Sequence, residues 1–397
     1  MGRQPFNTAE QARAMHDRLT SPPRANKLLG LEVLRFAAAL SILFLHYLHF
    51  AYVADKAVGL DRDRLPFHGL LHFFYQSRPY GVWVFWCISG FIFFWKYRDA
   101  IADRSMSGWK FFVLRLSRLY PLHLMTLLLV ALLQAVYHGL NGYFFVYQDN
   151  DLRHFLLQLF MASNWGAELD YSFNGPIWSI SIEVLVYAAF FPLLLATRSA
   201  WLNVLVVAVC VNASGYIPAC FAFFYIGGLA AMARRAAMSA SFRAALEGVA
   251  WLAVAMLPLL AWCGMRDRIW LLDYQLLLIY TPIVLFCLSR DITMPASIQK
   301  FVEAAGNMTY SSYLLHFPIQ VMIGIGFAMA KTPIPFYDAR FFAAFIGTTL
   351  LASYLTYRYF EAPAQNLIRN VLLRPDALGA KAVLTVQRPE PAVRPRA

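Results

Sequence analysis

Arg35 and His46 lie eleven residues apart in one apolar stretch, LEVLRFAAALSILFLHYLHF (31–50). Eleven helical steps of about 100° return to within roughly 20° of the starting direction and climb about 16 Å. Both groups therefore share one helix face, Arg35 near its beginning and His46 near its end. An ionisable group at the centre of a bilayer costs about 2.5 to 3.5 kcal/mol on insertion scales, so such groups tend to line a polar path. Snorkelling would serve Arg35 alone, and a bond to a neighbouring helix would serve His46 alone. A neutral imidazole at that depth has the chemistry of a general base near neutral pH. His49, one turn further, reads as an interfacial residue; the His46/His49 spacing would suit a metal, but no further ligand lies nearby in sequence.

Glu183 stands in a second apolar stretch, FNGPIWSISIEVLVYAAFF (173–191). Entered from the opposite side, it puts the carboxylate about two turns below the surface, a depth similar to that of His46. A carboxylate bonded to an imidazole fixes its tautomer and stabilises the imidazolium, so His46 with Glu183 is the expected base pair; an ion pair between Glu183 and an arginine is the alternative. Trp178 reads as an aromatic-belt residue, and Ser179 and Ser181 as helix-packing groups. In FFVLRLSRLYPLHL (111–124), Arg115 and Arg118 are one helical turn apart, where two guanidinium groups can grip a polyphosphate or simply anchor the span. In YSSYLLHFPIQ (310–320), Tyr310, Tyr313 and His316 precede Pro318; His316 is either a second catalytic or donor-site histidine or a satisfied buried one.

The elements that must position these groups are membrane spans. Of 397 residues, 60% are hydrophobic, 16% aromatic and 14% charged, far below the roughly 25% charged of soluble domains. The chain is expected to be an all-α polytopic protein with about ten transmembrane helices, at about 29–51, 80–97, 114–137, 176–197, 201–217, 218–233, 247–264, 270–289, 309–330 and 341–361. With the N-terminus inside, about 23 Lys and Arg fall on inner segments and about 9 on outer ones, so the positive-inside rule makes both termini cytoplasmic. Residues 1–27 form a cytoplasmic extension without the apolar core of a cleaved signal, 28–370 the transmembrane domain, and 371–397 a flexible Pro/Arg-rich tail. Outer loops 52–79 and 138–175 are long and aromatic, which suits a ligand surface.

Several chemistries are absent from the sequence. The five cysteines are scattered through apolar segments and form no CxxC or Cys/His group, so neither a disulfide framework nor a metal site is expected. No GxSxG, HExxH, Walker A or GxGxxG motif occurs. The net charge of +12 is a topology signal here, and nucleic acid is not an expected partner.

The stretches LEVLRFAAALSILFLHY, GVWVFWCISGFIFFW, FFVLRLSRLYPLHL, GPIWSISIEVLVYAAFFP, YSSYLLHFP and YRYFEAPAQ together resemble the acyltransferase-3 family of integral membrane acyltransferases, over about residues 28 to 370. The resemblance implies a stand-alone bacterial enzyme of the cytoplasmic membrane that O-acylates an exopolysaccharide, lipopolysaccharide or other envelope glycan. It further implies cytoplasmic acyl-CoA, acetyl-CoA above all, as co-substrate, no bound cofactor, and a glycan or lipid-linked sugar as acceptor. The family's first-helix motif falls on Arg35 and His46, its third-helix arginines on Arg115 and Arg118, its Trp/Ser/Glu motif on Trp178, Ser179 and Glu183, and its Tyr/His/Pro motif on Tyr313, His316 and Pro318. Two positions depart: Leu114 stands where an arginine is usual and Trp83 where an aspartate is usual. A transporter or flippase using the same charges as a pathway, and an acyltransferase acting on a small metabolite or lipid, stay open, as does a homo-oligomer.

Overall fold

Backbone amides in hydrocarbon must find partners within their own segment, and the described residues are accordingly mostly helical. The computed structural model describes residues 28–76, 79–167, 170–236, 238–256 and 270–373. In chain order the helices are α1 (Leu29–His46), α2 (His68–Leu71), α3 (Tyr80–Ala102), α4 (Gly108–Asn141), α5 (Leu152–Leu159), α6 (Ile177–Ala196) and α7 (Ala200–Cys210). They continue with α8 (Tyr216–Arg235), α9 (Ala240–Ala255), α10 (Trp270–Leu288), α11 (Ala296–Asn307), α12 (Thr309–Ala330), α13 (Ala339–Thr356) and α14 (Ala362–Leu372). The single sheet among the described residues is a two-stranded hairpin, β1 (Tyr52–Val53) with β2 (Lys56–Ala57).

Six helical segments among the described residues are long and apolar enough to cross a membrane: Leu29–Ala51, Gly108–Asn141, Ile177–Ala196, Tyr216–Arg235, Thr309–Ala330 and Ala339–Leu372. The ten expected spans do not map onto them one for one. The 201–217 span is the eleven-residue α7, the 80–97 span is α3, whose Trp and Tyr content lowers its hydropathy, and 247–264 lies partly outside the described residues. Two spans are longer than expected: α4 runs for 34 residues, and α13 continues through Tyr357–Glu361 into α14. Leu132, Leu205, Val209, Leu252, Met329 and Leu351 are all exposed on the outside of the bundle, as lipid-facing positions should be.

The interior is held by close approach of backbones. A Cβ on Gly90 of α3 would lie 1.8 Å from the Phe224 carbonyl oxygen, and one on Gly227 of α8 2.0 Å from that of Cys87. Without side chains there, α3 and α8 touch main chain to main chain, the way membrane helices gain dispersion energy when water supplies no driving force. Trp83, Trp86, Phe91, Phe93 and Phe94 fill the rest of the seam, and Trp83 stacks on Phe223 at 5.6 Å. Around α3, α1 packs with α12 and α11 on one side and α6 with α8 on the other.

The segment that follows α4, 142–167 and 170–175, folds back over the bundle. Gln134 on α4 clamps Phe145 by accepting from its N–H and donating to its carbonyl, both at 2.9 Å. Asp151 caps α5 by accepting from the His154 N–H at 2.9 Å and from its ring at 2.8 Å, and these bonds hold its carboxyl below the usual range. Asn174 donates to the Leu314 carbonyl at 3.2 Å, pinning the segment to α12. A Cβ on Gly175 would sit 2.3 Å from the Tyr147 ring, so only glycine lets that ring lie flat against the turn.

Candidate active site

The histidines of α1 and α12 meet beneath this roof. The His46 and His316 rings stack with centroids 4.7 Å apart and planes 12° apart, and the His49 ring lies 4.9 Å from His46. α1 ends at His46 and gives way to a 3-10 turn, Tyr47–Ala51, which swings His49 inward. The interfacial expectation for His49 is thus corrected: it is buried, and its Nδ1 bonds Gln320 Oε1 at 3.1 Å. Gln320 also donates to the His46 carbonyl at 2.7 Å, so one amide fixes the end of α1 and the His49 ring together.

His316 turns its Nδ1 to the Ser312 carbonyl at 3.2 Å, which makes that nitrogen the protonated one. Its Nε2, and Nδ1 of His46, are sealed from solvent without a hydrogen-bond partner among the described residues. Two bare imidazole nitrogens in a buried site are costly unless something polar visits them. Among the described residues no group of three or more His, Cys, Asp or Glu side chains could hold a metal ion.

One turn away, the two remaining motifs join. Ser179 Oγ and Tyr313 Oη are 2.6 Å apart, and Tyr313 donates to the Pro176 carbonyl at 2.7 Å. Trp178 is not a belt residue: it is buried, edge-on to Trp86 at 5.8 Å and against Tyr216 at 4.5 Å. It packs inside because α6 enters the bundle behind the folded segment that precedes it.

Glu183 departs from expectation. Its carboxylate accepts from Tyr187 Oη at 2.5 Å and from Ser89, and its charged neighbours are Arg115 and Arg35. The expected hydrogen bond to His46 is not made. Both α1 and α6 pack against α3, and it is Ser89 of α3 that shares the Glu183–Tyr187 network. Glu183 therefore belongs with the arginines.

Those arginines converge near the start of α4. Arg115 donates to Tyr97 Oη at 2.6 Å and lies over the Phe93 ring at 4.8 Å. Arg118 pairs with Glu361, a carboxylate only 1% exposed, and lies over the Tyr310 ring at 5.6 Å. Arg35 bonds Glu32 at 3.0 Å, one turn earlier on α1. Sequence reasoning missed Ser89, Tyr187, Gln320 and Glu361. Glu361 alone carried a signal, a carboxylate two residues before a proline at the end of an apolar span.

The whole constellation lies within, or just beyond, one region of sequence similarity. Residues 28–358 match the family described as "Acyltransferase domain", Acyl_transf_3. The chain belongs to this acyltransferase family. Acyltransferase MdmB of Streptomyces mycarofaciens is 30% identical over 182 residues, which is 43% of this chain and 40% of the relative's length. No solved structure matches. As a member of the acyltransferase family the chain carries His46, Glu183, Arg35, Arg115, Arg118, Trp178, Ser179, Tyr313 and His316 inside the matched residues, while Glu361 falls three residues past its end.

Proposed function

We propose that this membrane acyltransferase moves an acyl group, acetyl above all, from cytoplasmic acyl-CoA to a hydroxyl of an envelope glycan in the bacterial cytoplasmic membrane. The observation that carries this reading is the pair of unpartnered imidazole nitrogens on His46 and His316, with His46 on the helix that also bears Arg35. A sugar hydroxyl is a donor that a bare imidazole nitrogen accepts.

In the proposed step, His46 takes the acceptor's hydroxyl proton as its oxygen attacks the thioester carbonyl. The carbon–sulfur bond then breaks, the CoA thiolate leaves, and it receives the proton from the imidazolium, leaving an O-acyl ester. The two ends of the path are set by α1 itself, since Arg35 precedes His46 by about 16 Å of helix. Arg115 and Arg118 would hold the donor's phosphates at the inner mouth. Glu183, placed among Arg35 and Arg115, would balance the charge of the path rather than orient the base.

General-base catalysis contributes typically 10²- to 10⁴-fold. Purified His46→Ala should therefore keep its melting behaviour and lose at least about a hundredfold in acetyl transfer from labelled acetyl-CoA to extracted surface glycans. Full turnover in a folded His46→Ala protein would refute the assignment. Passage of a substrate across the membrane without any acylated product would instead favour a transporter.

A further inference from the structure

Glu361 and Arg369 both lie beyond the residues that match the family, yet both reach back to α4. Arg369 on α14 donates from Nε to Ser117 Oγ at 3.0 Å and from Nη2 to Gln365 Oε1 at 3.3 Å. Ser117 is fully buried and sits on α4 between Arg115 and Arg118. Its hydroxyl draws the Arg369 guanidinium to the same helical turn, within electrostatic range of both α4 arginines. Trp109, which donates to the Leu372 carbonyl at 3.2 Å, ties the end of α14 to the start of α4.

The charges here do not balance. Glu361 is committed to Arg118 and is itself held by Ser311 at 2.5 Å and Gln365 at 3.1 Å. Among the described residues neither Arg115 nor Arg369 has a carboxylate within ion-pair distance. The Nε of Arg115 is sealed without a partner, and Nη1 of Arg369 makes no bond among the described residues. Of the three guanidinium groups only Arg118 has a carboxylate at ion-pair distance, Glu183 reaching Arg115 at longer range, so the groups repel one another and an anion with several oxygens relieves that repulsion. Because Ser117 and Gln365 already hold the Arg369 fork, little side-chain entropy is left to lose on binding.

We propose that Arg369 is a third phosphate-binding residue of the donor site, completing with Arg115 and Arg118 a cradle for the phosphates of acyl-CoA. This rests on the acyl-CoA reading above. Glu361 keeps Arg118 in place from beneath, so that the surplus charge is presented by Arg115 and Arg369.

The test compares two donors carrying the same thioester: acetyl-CoA, and acetyl-pantetheine, which lacks the phosphates. In Arg369→Gln the KM for acetyl-CoA should rise roughly tenfold, the worth of one charge-assisted hydrogen bond. The KM for acetyl-pantetheine and kcat for both donors should stay within about twofold, a change of less than about 0.5 kcal/mol. An unchanged KM for acetyl-CoA overturns the proposal, and so does an equal rise for both donors, which marks a purely structural role. If Arg369→Gln does not accumulate as folded protein, Arg369→Lys takes its place: it keeps the charge and loses the fork, and its KM should rise for acetyl-CoA alone. A wild-type protein with no transfer from either donor would refute the functional reading itself, a result distinct from an active wild type with an indifferent variant.

Discussion

A carboxylate with 1% exposure inside an apolar bundle is tolerable only while it is paired and hydrogen-bonded, and Glu361 meets that condition through Arg118, Ser311 and Gln365. Glu361→Leu removes the acceptor and leaves the largely buried Arg118 guanidinium without its ion-pair partner. We expect a loss of about 3 kcal/mol or more in denaturation of the detergent-solubilised protein, as for other half-broken buried pairs; a change below about 1 kcal/mol would mean that water already reaches Arg118. Residue types were legible in the sequence, and partners were not. Arg35 and His46 share a helix, so spacing alone related them. Glu183 and His46 sit on different helices, and the pairing inferred from equal depth failed because depth says nothing about which helix intervenes. Similarly, Arg115 and Arg118 are one turn apart, yet they bond different partners, Arg115 with Tyr97 and Arg118 with Glu361.

At the level of elements, the segment joining α13 to α14 decides where the last arginine goes. Tyr357–Glu361 is a turn of π-helix, and Pro363 follows it at the start of α14. Proline has no N–H and its ring crowds the carbonyl four residues earlier, so the helix opens by one residue. Deleting Phe360, which points outward, should let the helix close into a regular α form and rotate α14 by about 100°. Glu361 and Arg369 would then leave α4. The expected outcome is a KM for acetyl-CoA raised at least about tenfold together with a lower melting temperature; wild-type donor kinetics would show that the turn has no part in the site. Hydropathy could not reveal this turn, since an apolar run reads the same with 3.6 or with more residues per turn. The same limitation hid the break at His46, where α1 changes to a 3-10 turn and carries His49 into the interior.

For the whole molecule, the proposed polarity puts the arginine mouth on the cytoplasmic side and the folded segment 142–175 outside. Cysteine placed at exposed Asp149 should react with a membrane-impermeant maleimide on intact cells, whereas cysteine at exposed Lys300 should react only after permeabilisation. The reverse pattern would invert the molecule and put the donor site on the wrong side for cytoplasmic acyl-CoA. That basic residues concentrate on one set of loops follows from the cost of moving them across the bilayer, which a sequence states directly. The aromatic loops were recognisable as functional candidates, but their roof-like position over the histidines depends on Gln134, Asn174 and Gly175 making specific contacts with distant residues.

By itself the sequence determined that this chain is helical, that it lives in a membrane, and which polar side chains its spans carry, because each of these depends on local hydrophobicity and on period along one segment. Only the tertiary structure decided that the imidazoles of α1 and α12 stack, that Glu183 lies among the arginines, and that α14 packs against the start of α4. Those outcomes depend on which helices become neighbours and on how each is rotated about its axis. Both are settled by contacts such as Gly90 on Phe224 that no single segment encodes.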